Sequence, residues 1–181
     1  MCTQKLRIKT KCMVTPDMIM SRLPPYRDEW ILVKKEQYVP DIVKEICTAH
    51  KLYGSYYDAF SYMFYNEDPA VVADALYSFC KEFIEYKEEK VDFQTTAIPA
   101  GILYRGHGDC KHYAIFTAGV IASLNRLYGC CFEAYFYFVG YRRAKEPYHV
   151  FVSLICDKEE IWIDPTPGSG GTPTLVVPKR V

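Results

Sequence analysis

The chain reads as an α+β protein, and three observations predict that class. Residues 38 to 90 carry apolar side chains at three- and four-residue steps, the helical period. A glycine turn, Gly106-His107-Gly108-Asp109, then opens another apolar-striped stretch. After it come three strand-like runs separated by polar turns. Helices followed by strands, without alternation, point to α+β and not α/β. At 181 residues, half of them apolar and 15% aromatic, the chain is long enough for a proper core.

The elements follow in order. Residues 1 to 36 are the least legible. Lys5–Lys11 alternates basic with apolar or neutral residues and reads as a lysine-guarded edge strand. Leu23-Pro24-Pro25-Tyr26 is a turn or linker. Pro40-Asp41 starts a helix that runs to about His50, and Gly54-Ser55 punctuates. Tyr56–Tyr65 reads as a second short helix. Asp68-Pro69 is an N-cap followed by proline at the first helical position. The stripe from Val71 to Ile84 and the charges out to Lys90 predict a helix of up to about 20 residues. Val91–Tyr104 leads into the glycine turn. The next helix begins near Cys110, carries Ala114, Ile115, Ala118, Ile121, Ala122 and Leu124 as its stripe, and ends at Tyr128-Gly129. Phe132–Tyr141, His149–Ile155 and Glu160–Asp164 are strands. Arg142–Pro147 is a polar loop, Cys156–Glu159 a hairpin turn, and Gly168–Pro173 a flexible tail before a last strand at Thr174–Val177. Residues 1–90 form an N-terminal arm and helical cap within the same domain as a core over 91–181.

Charge and cysteines narrow the setting. With 22 basic against 22 acidic residues the net charge is zero, which argues against a dominant nucleic-acid or membrane surface. Eight cysteines invite a disulfide reading. Against it stand the polar start of the chain, with no secretory apolar segment, and the adjacent pair Cys130-Cys131, which suits a buried strand. Cys47, Cys80, Cys130 and Cys156 lie in apolar runs, as small hydrophobes do. The expected setting is reducing and cytoplasmic, with every thiol free and no membrane span.

The chemistry gathers around Cys110. A cysteine in the first turn of a helix sits in the positive potential of unpaired N–H groups, which favours thiolate. The same N–H groups can receive an oxyanion. Downstream, His149 opens a strand beside the polar loop, and Asp164 ends the next one. Asp164 is suited to accept the second imidazole N–H and fix the tautomer.

Gly-Asp-Cys opening a helix, a lone His on a strand, then Trp162-Ile163-Asp164-Pro165-Thr166 resembles the transglutaminase-like superfamily of papain-type cysteine enzymes. The resemblance spans about residues 91–168 and suggests a small member of bacterial or phage type. It implies a cysteine-bearing helix packed on an antiparallel sheet, with Cys110 as nucleophile, His149 as acid/base and Asp164 as the orienting residue. It also implies a side-chain oxyanion donor upstream of the cysteine, for which Gln94 is the candidate. Trp162 is expected in the core beneath Asp164. Many relatives carry an acidic residue where His112 stands and tryptophan where Phe151 stands; these departures touch subsites, not the triad.

The expected reaction is acyl transfer at an amide of a protein, peptide or other substrate, through a thioester. The reading leans to hydrolysis over amine transfer, since nothing in the sequence suggests a calcium site. No cofactor is expected. His107, Cys110 and His112 are zinc-type ligands but lack a fourth partner and the usual spacing, so no metal is expected. Arg142, Arg143 and Tyr148 border His149 and are expected to contact substrate, an arginine meeting an acidic group. The rival reading is a catalytically silent module that uses the same fold to bind a partner. The oligomeric state is open.

Overall fold

The computed structural model describes residues 13–25, 31–33, 39–90, 94–142, 144–168 and 171–181. The basic run Lys5–Lys11, Cys2, Cys12 and Arg143 lie outside the described residues. Helices come first, as the periodicity predicts. Thr15 caps a short helix, α1 (Pro16–Met20), and a strand, β1 (Ile31–Val33), follows in the stretch the sequence left illegible. The predicted helix at Pro40-Asp41 is α2 (Val39–Tyr53).

The aromatic run after it is not one α-helix but two 3-10 turns, Gly54–Ala59 and Ser61–Phe64. Three residues per turn bring positions i and i+3 into line. Tyr57 and Phe60 thereby share one inward edge, both fully buried, with ring centres 5.6 Å apart.

Asp68 caps α3 (Pro69–Phe83), its Oδ1 accepting from Ala70 N at 2.8 Å. The charged run to Lys90 does not prolong this helix. Ile84 turns extended (φ −121°, ψ 107°) and goes into the core. Tyr113 donates its hydroxyl to the Ile84 carbonyl at 2.7 Å. Glu85 N then donates to Gly106 O at 2.8 Å and Lys87 N to Gly108 O at 2.9 Å. The chain leaves the helix because β2 (Glu85–Tyr86) pairs with the glycine turn ahead of Cys110.

The lead-in also holds more structure than its sequence suggested. β3 (Gln94–Thr96) pairs antiparallel with β1. Pro99 opens α4 (Pro99–Arg105), and Gly106 closes it in the left-handed conformation (φ 66°), donating to Ile102 O. β4 (His107–Gly108) runs parallel to β2.

Then comes α5 (Cys110–Tyr128), capped by Asp109 and closed by Gly129 at φ 65°. It is buried nearly all round from Lys111 to Leu124, so its apolar stripe is wider than one face. Gly119 is where the helix meets the 3-10 region: a Cβ there would sit 2.3 Å from the Tyr57 ring. Phe116 stacks on Phe79 at 5.2 Å and on Phe60 at 5.9 Å, tying α3, α5 and the 3-10 turns together.

Four strands complete the fold: β5 (Glu133–Gly140), β6 (His149–Cys156), β7 (Glu159–Ile163) and β8 (Leu175–Arg180). They form one antiparallel sheet in the order β7-β6-β5-β8. Asp157 and Lys158, at φ 50° and 71°, make the two-residue turn between β6 and β7. Phe136, Phe138, Val150, Val152, Leu154 and Ile163 join the core with the helices. The alternate residues form an outer row of rings, His149, Phe151, Trp162 and Tyr137, spaced 5.2 to 6.3 Å.

Trp162 is 41% exposed in that row and is not core beneath Asp164, because its register opposite Ser153 faces it outward. Cys131 is exposed too: the Cys130-Cys131 pair lies in the turn before β5, not in a buried strand. No disulfide joins the six described cysteines. No described helix is long and apolar enough to cross a membrane. The protein is thus a mixed α and β structure with an antiparallel sheet.

Candidate active site

Asp109 sets the start of α5. Its carboxylate accepts from Lys111 N at 3.2 Å, and its own N–H lies 3.2 Å from His112 Nδ1, a reciprocal cap. This places Cys110 at the first helical position, half-buried, where the backbone N–H has no partner in the helix ladder.

His149, first residue of β6, reaches Cys110 from the end of the outer ring row. The β6–β7 register sets Ile163 opposite Val152, so Asp164 stands opposite Phe151 and diagonal to His149. Diagonal side chains on one face are within reach of long groups. His149 Nε2 lies 2.8 Å from Asp164 Oδ2. The ring also hydrogen-bonds Cys110, for which Nδ1 is the nitrogen left. Asp164 is itself held, since its Oδ1 accepts from Thr166 N at 3.2 Å. Burial of the imidazole opposes its charge, but the hydrogen bonds to Asp164 and Cys110 outweigh it. The pKa of His149 is pushed up to about 9, so the ring is imidazolium at neutral pH.

A cleft of about 450 Å³ opens over Cys110 and His149. It is lined by Tyr86 and Glu88 from the β2 segment, by Tyr141, Arg142 and Tyr148 from the β5–β6 loop, and by Thr166, Pro167 and Gly168 after β7. The β5–β6 loop folds tightly over Gly140, where a Cβ would meet Ala144 Cβ at 2.7 Å. Arg142 takes the left-handed conformation (φ 53°) at this bend and lines the cleft.

Of the sequence-predicted residues, Cys110, His149 and Asp164 come together, and Arg142 and Tyr148 line the same cleft. Gln94 does not line it: its side-chain amide donates to Lys90 O at 2.9 Å and Glu89 O at 3.3 Å. Tyr86 stands in the cleft instead. Burial, and then the charge of Cys110, push its phenol well up from the usual tyrosine value, which keeps the O–H as a donor. Sequence reasoning missed Tyr86 because it placed the residue inside a helix; only the pairing of β2 with β4 brings it beside Cys110.

Next to Cys110 in the chain lies a second polar group. Lys111, 3% exposed, sits between Glu89 Oε2 at 2.8 Å and the Asp109 carboxylate. Glu89 also accepts from Thr95, through backbone N at 2.6 Å and through the hydroxyl. Burial would raise the pKa of Asp109, but the His112 hydrogen bond and the Lys111 charge hold it well below the usual carboxylate range. Among the described residues no group of three or more His, Cys, Asp or Glu is arranged to hold a metal ion.

The chain as a whole matches no family model, no curated protein and no solved structure.

Proposed function

We propose that the protein is a cysteine-dependent acyl-transfer enzyme of transglutaminase-like, papain-type design, acting on amide bonds. The observation that carries this reading is the hydrogen-bonded chain Cys110–His149–Asp164, whose first two members line the cleft. An imidazolium beside a sulfur at a helix N-terminus supports a thiolate–imidazolium pair.

The Cys110 sulfur attacks the amide carbonyl carbon, and the carbonyl oxygen takes up the negative charge. The Cys110 N–H is a donor suited to that oxygen, and the Tyr86 hydroxyl, which donates to Glu88 Oε1 at 3.4 Å, becomes a second by turning to it. His149 gives its proton to the amine nitrogen as the C–N bond breaks, leaving a thioester. Water, or in a transferase a second amine, then attacks with His149 taking its proton, and the Cys110 thiolate departs. Asp164 holds the ring to its two tasks. Arg142 and Tyr148 on the cleft wall favour a substrate with a carboxylate near the scissile amide.

The test is a competition among cysteines. Folded protein is treated with a small neutral thiol reagent and each cysteine's modification rate is read by mass spectrometry. An enzyme labels fastest at Cys110 and loses that preference on His149→Ala, and it cleaves members of an acidic peptide-amide panel. If Cys110 labels no faster than exposed Cys131, the reading falls and a silent binding module takes its place.

A further inference from the structure

A deeply buried charge stands next to Cys110 in the chain and takes no part in the acyl transfer. Lys111 is 3% exposed, adjacent in sequence to the nucleophile, and contacts no residue of the cleft among the ion pairs it makes. A buried ammonium is expensive and persists when its partners are well placed. Here the partners are Asp109, which caps the nucleophile's helix, and Glu89, which follows the cleft residue Glu88.

We propose that Lys111 is a positioning residue: held between Asp109 and Glu89, its ammonium offsets the two carboxylates and ties the cleft wall at 86–89 to the nucleophile's helix. This rests on Cys110 being the nucleophile. Without Lys111, Asp109 and Glu89 would present two uncompensated negative charges to the sulfur. Negative potential disfavours thiolate. Without the Glu89 charge the balance would tip the other way. Among the described residues, the other ionisable groups near the cleft include His149 and Asp164 from the sheet, and Tyr86 and Glu88 from the β2 side. Tyr141, Arg142 and Tyr148 face it from the loop, with His112 on α5 and His107 on β4. The variants below leave all of these in place.

The experiment is the pH profile of Cys110 alkylation by iodoacetamide, in which the thiolate sulfur displaces iodide. Profiles are measured by mass spectrometry for the wild type, Lys111→Met, Lys111→Arg and Glu89→Gln. The midpoint is expected to rise by about one pH unit in Lys111→Met, to fall in Glu89→Gln, and to stay near wild type in Lys111→Arg. At a pH below the wild-type midpoint this is a loss of about tenfold in rate for Lys111→Met. Both charge-removing variants also lower the melting temperature, which a purely structural role would do as well. The opposed directions of the profile shift are what such a role would not produce. Midpoints that stay put, or that move the same way in both variants, overturn the proposal. Should Lys111→Met fail to fold, Glu89→Gln decides by itself: a downward shift supports the proposal and no shift overturns it. Failure of the nucleophile assignment looks different, since wild-type Cys110 would then label no faster than Cys131 at any pH.

Discussion

The two ends of α5 carry the same kinds of groups in opposite circumstances. At its C-terminal end, Arg126 pairs with Asp58, and Ser123 donates to the same carboxylate at 2.6 Å and meets Ser61. That ion pair is wet, with side chains 46% and 32% exposed. At the N-terminal end, Asp109, Lys111 and His112 keep 9% or less of their side chains exposed. Gly129 closes the C-terminus with one backbone hydrogen bond, so a helix end of this fold needs no buried charge. The N-terminus carries several, directly under a cysteine. Buried charge beyond what a cap requires is what the proposed function would call for at this end.

The largest effect should come at the N-terminal end itself. Cys110→Ala is expected to lower amide turnover by about a thousandfold or more, with Asp164→Asn close behind through misplacement of the imidazole proton. Both are read by product formation on the best substrate of the panel. Either variant at wild-type rate would dissolve the contrast between the two ends.

The next prediction compares the ends in stability. Removing one partner of a buried pair strands the others, so Lys111→Met should cost about 3–5 kcal/mol in urea unfolding. Arg126→Ala, at the wet end, should cost under about 1 kcal/mol. Similar losses at both ends would mean that burial makes no difference between them.

Between these lies a pH effect. His149 binds its proton more tightly in the folded chain, at about 9, than at its ordinary 6.5. Its contribution is therefore complete below about pH 6.5 and fades as the pH climbs through about 9. The shift corresponds to about 3 kcal/mol. Unfolding free energies at pH 6, 7.5 and 9.5 check it. Cys110→Ala should flatten the dependence, because the ring then keeps only Asp164.

The smallest effect is expected at the cleft rim. Arg142→Ala should weaken turnover of acidic substrates about tenfold while leaving Cys110 alkylation unchanged. Equal loss of both would mean the residue supports the bend over Gly140 and does not read substrate.

The sequence made some of this legible and hid the rest for definite reasons. Local signals worked. Asp68-Pro69, Gly129 and the apolar stripe of α5 act within a turn of the residues they specify: α3 starts where expected, and α5 both starts and stops where expected. The three strands after α5 stand close to their predicted bounds for the same reason. Of the site, Cys110, His149 and Asp164 were readable because each marks an element boundary. What was hidden depends on pairing at long range. Glu85–Tyr86 has helical neighbours and a helical pattern, yet pairs with residues 107–108 and leaves the helix. Tyr86 enters the cleft, and Glu89 reaches Lys111, only because of that pairing. Gln94, chosen by its residue type, belongs to β3, and its amide turns to the carbonyls of 89 and 90.

One feature of the sheet sets which kinds of change this protein can survive over generations. His149 and Asp164 sit on the two arms of a hairpin whose turn is two residues long. Their meeting follows from counting residues, not from which residues fill the count. Point substitutions along the arms leave the count intact. A single inserted or deleted residue between them shifts the pairing and sends one partner to the opposite face. Descendants of this chain should accordingly vary freely in the composition of the hairpin and scarcely at all in its length.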